Sequence, residues 1–217
     1  MSHNPSVLLI RFAAVFLVLA VCCVAEAKNP GRGSSISGGQ FSTVVIDPGH
    51  GGHDFGGIRG QRVPEKTMAL DVALRLRSVL SAAGFHTVMT RTDDTFVPLD
   101  ERVAIARAHP DAIFVSIHFN AAPRVGAHGI ETFYCTARSK PVADSIQRQL
   151  LAVGPTENRG VKHAEFYVLR RNSIRAALTE CGFLTNPIDT SLAVRASYRQ
   201  QLAEGIAVAI ARYRASL

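Results

Sequence analysis

Residues 112–118 read AIFVSIH, a nearly unbroken apolar run with Ser116 as its only polar residue before a terminal histidine. Such a run fits a central parallel strand buried on both faces. A strand of that kind needs a helical layer on either side, which constrains the chain toward α/β architecture. Other segments agree. Residues 43–46, 85–91, 129–135, 166–169 and 176–180 read as further strands. Residues 65–83 carry a helical stripe of Ala69, Val72, Ala73, Leu76, Val79, Leu80 and Ala83, stopped by Gly84. Helices are also predicted from Pro98 to about His109, over 140–153 and over 197–213. The expected fold is a single α/β domain: a mostly parallel, twisted sheet of about six strands with helices on both faces.

In such sheets ligands bind beyond the carboxyl ends of the strands, and several chemically capable residues fall there. His50 follows the first strand inside a glycine-rich loop, GHGGHDFGG. His118 closes AIFVSIH, Glu180 closes ALTE, and Glu65 stands where the loop gives way to the first helix. The loop lacks Gly-Lys-Ser/Thr and does not fit G-x-G-x-x-G, so a phosphate cradle is disfavoured. Two histidines and a carboxylate are a known catalytic zinc set that leaves a fourth position for water. A second carboxylate nearby can carry the proton. Each residue also has an ordinary reading: Glu65 as a helix N-terminal acid, Glu180 as an arginine partner, and the histidines as satisfied polar groups. His53, His86, His109, His128 and His163 are given that ordinary reading.

Residues 1–27 stand apart. Arg11 precedes the 13-residue apolar run FAAVFLVLAVCCV, and Ala25-Glu26-Ala27 has the small-x-small pattern of a signal-peptide cleavage site. The run is short for a membrane span, so the mature chain is expected to have none. LAVC at 19–22 approaches a lipidation box, but Val21 occupies the place of a small residue. Residues 28–40 read as a Gly/Ser-rich linker, leaving 41–217 as the folded domain. The expectation is export, to the periplasm or the extracellular medium. Without residues 1–27 the balance is 23 basic minus 16 acidic, still +7. An exported basic protein is drawn to anionic polymers such as cell wall. Scattered charges and the lack of Trp argue against nucleic acid. Cys135 and Cys181 lack metal-ligand spacing and are either two buried thiols or one bridge. A monomer is expected.

Seven blocks, in order, resemble the zinc-dependent N-acetylmuramoyl-L-alanine amidases: IDPGHGG (46–52), PEK (64–66), TRTDD (90–94), LDERVAIA (99–106), VSIHFNA (115–121), RGVK (159–162) and ECGFLTNP (180–187). The resemblance implies one zinc ion per chain held by His50, Glu65 and His118, with Glu180 as catalytic acid/base and peptidoglycan as substrate. Phe119 stands where a small residue is common, and Arg107 replaces a frequent asparagine. Only ten residues (121–130) separate Asn120 from Glu131. That is too few for the inserted helix that plugs the site in some relatives, so an open site is expected. Asn120, Arg159 and Lys162 are candidate substrate-binding residues, the last two for stem-peptide carboxylates. Asp47 is a candidate hydrogen-bond partner for a ligating histidine. The alternatives are a zinc peptidoglycan peptidase and a non-catalytic wall-binding module.

Overall fold

A computed structural model describes residues 41–58, 61, 63–124 and 126–217. The signal peptide and linker expected over residues 1–40 lie outside the described residues. The elements run β1 (Thr43–Pro48), α1 (Glu65–Ala82), β2 (His86–Met89), α2 (Leu99–Arg107), β3 (Ala112–Asn120), β4 (Ile130–Tyr134), α3 (Lys140–Leu150), β5 (Asn158–His163), α4 (Tyr167–Arg170), β6 (Arg175–Phe183), α5 (Pro187–Ala193) and α6 (Ala196–Ala215).

One six-stranded sheet has the order β2-β1-β3-β6-β4-β5. The first four are mutually parallel; β4 runs antiparallel to β6, and β5 is parallel to β4. Successive side chains alternate between faces, and the central strands use both. Val44, Ile46, Ile113, Val115, Ile117, Ala177 and Cys181 enter one core, beneath α1, α3 and α6. Val45, Phe114, Ala176 and Leu178 enter a second core with Val103 and Ala106 of α2 and Val168 and Leu169 of α4. The cover on this second face is slight, because α2 spans 9 residues and α4 only 4. The ends of β3, β6 and β4 extend past it, and that is where the site forms.

The sixth strand is β5 at Asn158–His163, while the strand expected at 166–169 is the single-turn helix α4. The aromatic and β-branched run FYVL has strand propensity, but the chain here crosses from the sheet edge back to β6. A helical turn sends Val168 and Leu169 inward and stacks Phe166 edge-on against Phe133 at 5.1 Å. β5 escapes periodicity because it is an edge strand with no fully buried residue. Helix α5, also unexpected, opens with Pro187 after Asn186, whose side chain accepts hydrogen bonds from the Ile188 and Asp189 amides. Cys135 and Cys181 are both free thiols and pack toward opposite faces of the sheet.

Candidate active site and metal centre

The loop after β1 brings backbone unusually close to the site. His50 sits at φ 60°, a left-handed conformation uncommon for a residue with a Cβ. Two glycines explain the local composition. A Cβ on Gly49 would lie 2.2 Å from the His118 ring, and one on Gly56 would lie 2.6 Å from Glu65 Oε2 and 2.7 Å from the His50 ring. The loop is glycine-rich because the two imidazoles and the carboxylate occupy the space that side chains would take.

Two buried arginines hold the loop from below. Arg91 donates to the carbonyls of Pro48 and Gly49 at 3.0 and 2.7 Å. Arg102 donates to those of Pro48 and His50, both at 2.7 Å. Lys66 closes the outer side, with its ammonium 2.7 Å from both the Gly52 carbonyl and Asp94.

Glu65, the first residue of α1 and 4% exposed, is the centre of the site. Its Oε1 lies 3.0 Å from His50 Nε2 and 2.8 Å from His118 Nδ1, and it accepts the Phe119 amide at 3.1 Å. The two imidazoles meet edge to face, 4.9 Å apart. Among the described residues this is the group of three potential metal donors whose ligand atoms all lie within 4.8 Å of one another. Nitrogen and oxygen donors bind zinc at about 2.0–2.2 Å, and these three are candidate ligands for one ion. Asp54 Oδ2 lies 2.8 Å from His50 Nδ1, and its Oδ1 accepts the Gly56 amide. Beside His50 an open pocket of about 500 Å³ is walled by His53, Phe55, Ile58, Gln61 and Pro64.

Glu180 is the β6 partner of His118 in register and points to the same face. Its side chain is partly open to the cleft, yet Oε2 is buried with no hydrogen-bond partner. An unsatisfied carboxylate oxygen beside a two-histidine, one-carboxylate set fits a centre that holds a cation and its water.

Electrostatics separate the two acids. Burial would raise Glu65, but hydrogen bonds from His118 and His50 outweigh it and hold the carboxyl down at about 2. Burial, followed by the charges of Glu65 and Glu131, pushes Glu180 well above the usual carboxylate range. Burial would lower His50, but Glu65 and then Asp54 overcome it and raise the imidazole above 6.5.

The four residues His50, Glu65, His118 and Glu180 are thus brought together. Asp47 is not with them. It lies beneath the loop, accepting from Thr90, Arg102 and Ser116 at 2.6, 2.8 and 2.6 Å, and Asp54 makes the histidine contact expected of Asp47. The physical reason is height along the sheet: Asp47 pairs with Ser116, two residues short of His118, and its oxygens are taken up there, while His50 is reached only after the backbone has turned. Asn120, Arg159 and Lys162 converge on Glu131, which sequence reasoning missed. Glu131 left one signal, an acid in a strand, GIETFYC, that reads as mostly apolar. His53 packs on Phe96 with ring centres 4.2 Å apart, and His163 contacts the Cys135 carbonyl.

A mostly parallel α/β sheet with two imidazoles and a carboxylate on its rim, and an acid alongside, defines a candidate mononuclear metal centre of hydrolytic type. The chain belongs to the N-acetylmuramoyl-L-alanine amidase family, whose model matches residues 44–212. It is 41% identical over 185 residues to the N-acetylmuramoyl-L-alanine amidase LytC of Bacillus subtilis (strain 168), covering 83% of this chain but 36% of LytC. It is 37% identical over 201 residues to YqiI of the same organism, a protein without assigned function, covering 91% of this chain and 92% of YqiI. The N-acetylmuramoyl-L-alanine amidase from Clostridium difficile 630 superposes with a TM-score of 0.77 at 36% identity, over 82% of this chain and 99% of that one. The catalytic domain of CwlV from Bacillus (Paenibacillus) polymyxa var. colistinus gives a TM-score of 0.76 at 33% identity, over 80% and 98%.

Proposed function

We propose that the protein is an N-acetylmuramoyl-L-alanine amidase, exported to the periplasm or extracellular medium, that hydrolyses the amide between the lactyl group of N-acetylmuramic acid and the L-alanine of the stem peptide. The observation that carries this reading is the convergence of His50, Glu65 and His118 beside the unsatisfied carboxyl of Glu180. In this reading the three donors hold one zinc ion, which when bound polarises the scissile carbonyl and lowers the pKa of water from 15.7 toward about 7.

The chain's own residues do the rest. Asp54 accepts a hydrogen bond from His50 Nδ1–H, which leaves Nε2 free to ligate and fixes the ring plane. Glu65 stays ionised because both imidazoles face it. Glu180 takes a proton from the attacking water and returns it to the leaving amine nitrogen. A single carboxyl can serve both steps without moving. Arg159 and Lys162 lie farther along the cleft and would meet a stem-peptide carboxylate, with Asn120 between them and His118. With no inserted plug in the 121–130 connection, substrate reaches the site directly.

The test is metal analysis of the purified protein joined to mass spectrometry of digested peptidoglycan. Intact stem peptides and uncut sugar strands, abolished by chelator, are expected. Fragmented peptides would instead indicate a peptidase, and no release would indicate a binding module. Glu180→Gln should keep its zinc and lose at least ~100-fold in rate, whereas His50→Ala should lose the metal.

A further inference from the structure

Glu131 is a buried carboxylate, 4% exposed, set directly opposite Glu180 across the antiparallel β4–β6 pair. Two acids in that relation share one face and repel, and a buried charge needs compensation. The compensation is unusually full. Asn120 Nδ2 donates to Oε1 at 2.6 Å, Arg159 Nε to Oε2 at 3.2 Å, and Lys162 Nζ to the same oxygen. One negative charge thus holds two positive ones, and neither cation has another carboxylate partner among the described residues.

The backbone is shaped for this arrangement. In a regular strand Arg159 and Lys162, three residues apart, would point to opposite faces. Here the β4–β5 register slips: Ile130 pairs with Asn158, but Glu131 pairs with Gly160, so Arg159 is the extra residue of a bulge. Bulges re-aim side chains beside active sites. This one, with Gly160 at φ 83°, turns both cations onto one carboxylate. The Arg159 guanidinium is braced over the Phe183 ring at 4.8 Å. Side-chain exposures of 26% for Arg159 and 42% for Lys162 leave both accessible to a solvent-borne ligand.

We propose that Glu131 is a positioning residue that fixes Arg159 and Lys162 as a recognition site, with one net positive charge, for a free carboxylate of the stem peptide. The proposal rests on the amidase reading for its choice of ligand. It makes the enzyme selective for stems with a free carboxylate over the same stems carrying a carboxamide at that position.

The experiment measures calorimetric binding of two L-alanyl stem tripeptides to the zinc-loaded protein. They are identical except for a free α-carboxylate or a carboxamide on the second residue. Cleavage of the corresponding muramyl peptides is followed separately. Wild type should bind the carboxylate form about tenfold tighter, within the range of charge-assisted hydrogen bonds. Glu131→Gln and Arg159→Gln should each cut that preference to about twofold, and the double variant should lose little more, as members of one unit do. A purely structural role for Glu131 would weaken both peptides alike and leave the ratio unmoved. Equal binding by wild type, or an undiminished preference in Glu131→Gln, overturns the proposal. If Glu131→Gln does not fold, Arg159→Gln/Lys162→Gln decides, and retained preference there overturns it equally. Selective binding without muramyl-peptide cleavage would sink the amidase reading and leave the carboxylate site standing.

Discussion

Asp47 and Arg102 form an ion pair of 2.8 Å in which the carboxylate keeps 1% and the guanidinium 3% of its side-chain surface. The pair joins β1 to α2, and the same guanidinium reaches the carbonyls of Pro48, His50 and Val97. It therefore links the stability of the fold to the left-handed backbone at His50. Removing one partner of a buried pair costs about 3–5 kcal/mol. Arg102→Met should fall at the lower end, because Thr90 and Ser116 still serve Asp47. Denaturant unfolding should report that loss, and zinc affinity should drop with it as the His50 carbonyl loses its anchor. An unfolding midpoint equal to wild type would contradict this account.

Asp54 and Asp47 should separate cleanly in their effects. Asp54 contacts a candidate ligand and is 41% exposed at its side chain, so it contributes little to the core. Asp54→Asn should lower metal affinity about 10–100-fold, as losing a histidine's hydrogen-bond partner does, with little change in melting temperature. Asp47→Asn should do the reverse, destabilising the fold more than it weakens the metal. A competition titration with a chromophoric chelator, run beside thermal melts, distinguishes the two patterns.

Gly49 tests whether the loop composition is dictated by the ligands. An added methyl would lie 2.2 to 2.5 Å from three atoms of the His118 ring, a clash that only movement of the ring or loop relieves. Gly49→Ala should therefore displace His118 and weaken zinc binding. Gly84→Ala is a useful contrast, since a Cβ there meets nothing within 4 Å and only the φ of 81° is strained. It should cost about 1 kcal/mol of stability and leave the metal untouched. Equal zinc affinities in the two variants would show that crowding at Gly49 is unimportant.

The parts of the fold legible in the sequence were those governed by burial. AIFVSIH announced β3 because both faces of that strand are packed, and the α1 stripe matched the face it buries. β5 was hidden because an edge strand built of Asn, Arg, Gly and Lys has no pattern to show. His118 and Glu180 were visible as polar residues ending apolar runs, His50 as a histidine in the loop after β1, and Glu65 as an acid where that loop gives way to α1. Glu131 and Asp54 were not, because their importance comes from a strand bulge and a turn. Asp47 was misplaced for a related reason: a ligating histidine does have a carboxylate partner, but the turn after β1 supplies it as Asp54, while Asp47 is spent on Thr90, Arg102 and Ser116.

Protons bound at the site should give the metal-free protein an unusual pH dependence. His50 and Glu180 both have raised pKa values in the folded state. Each then contributes stability that is full below its unfolded value, 6.5 and 4.5 respectively, and is lost as pH climbs through the folded value. Glu65 works in the other direction. Lowered to about 2, it contributes stability above 4.5 that disappears as pH falls toward 2. The metal-free protein should accordingly melt highest in mildly acidic solution, lower as pH rises from 5 to 8, and lower again in strong acid. Glu180→Gln should flatten the limb just above pH 4.5, because an amide has no proton to lose. Zinc should reverse the neutral limb, since ligation requires a neutral His50 and grows stronger as the proton leaves. Melting curves across pH, with chelator and with zinc, measure both slopes; parallel slopes in the two sets would rule out His50 as the group exchanging its proton for metal.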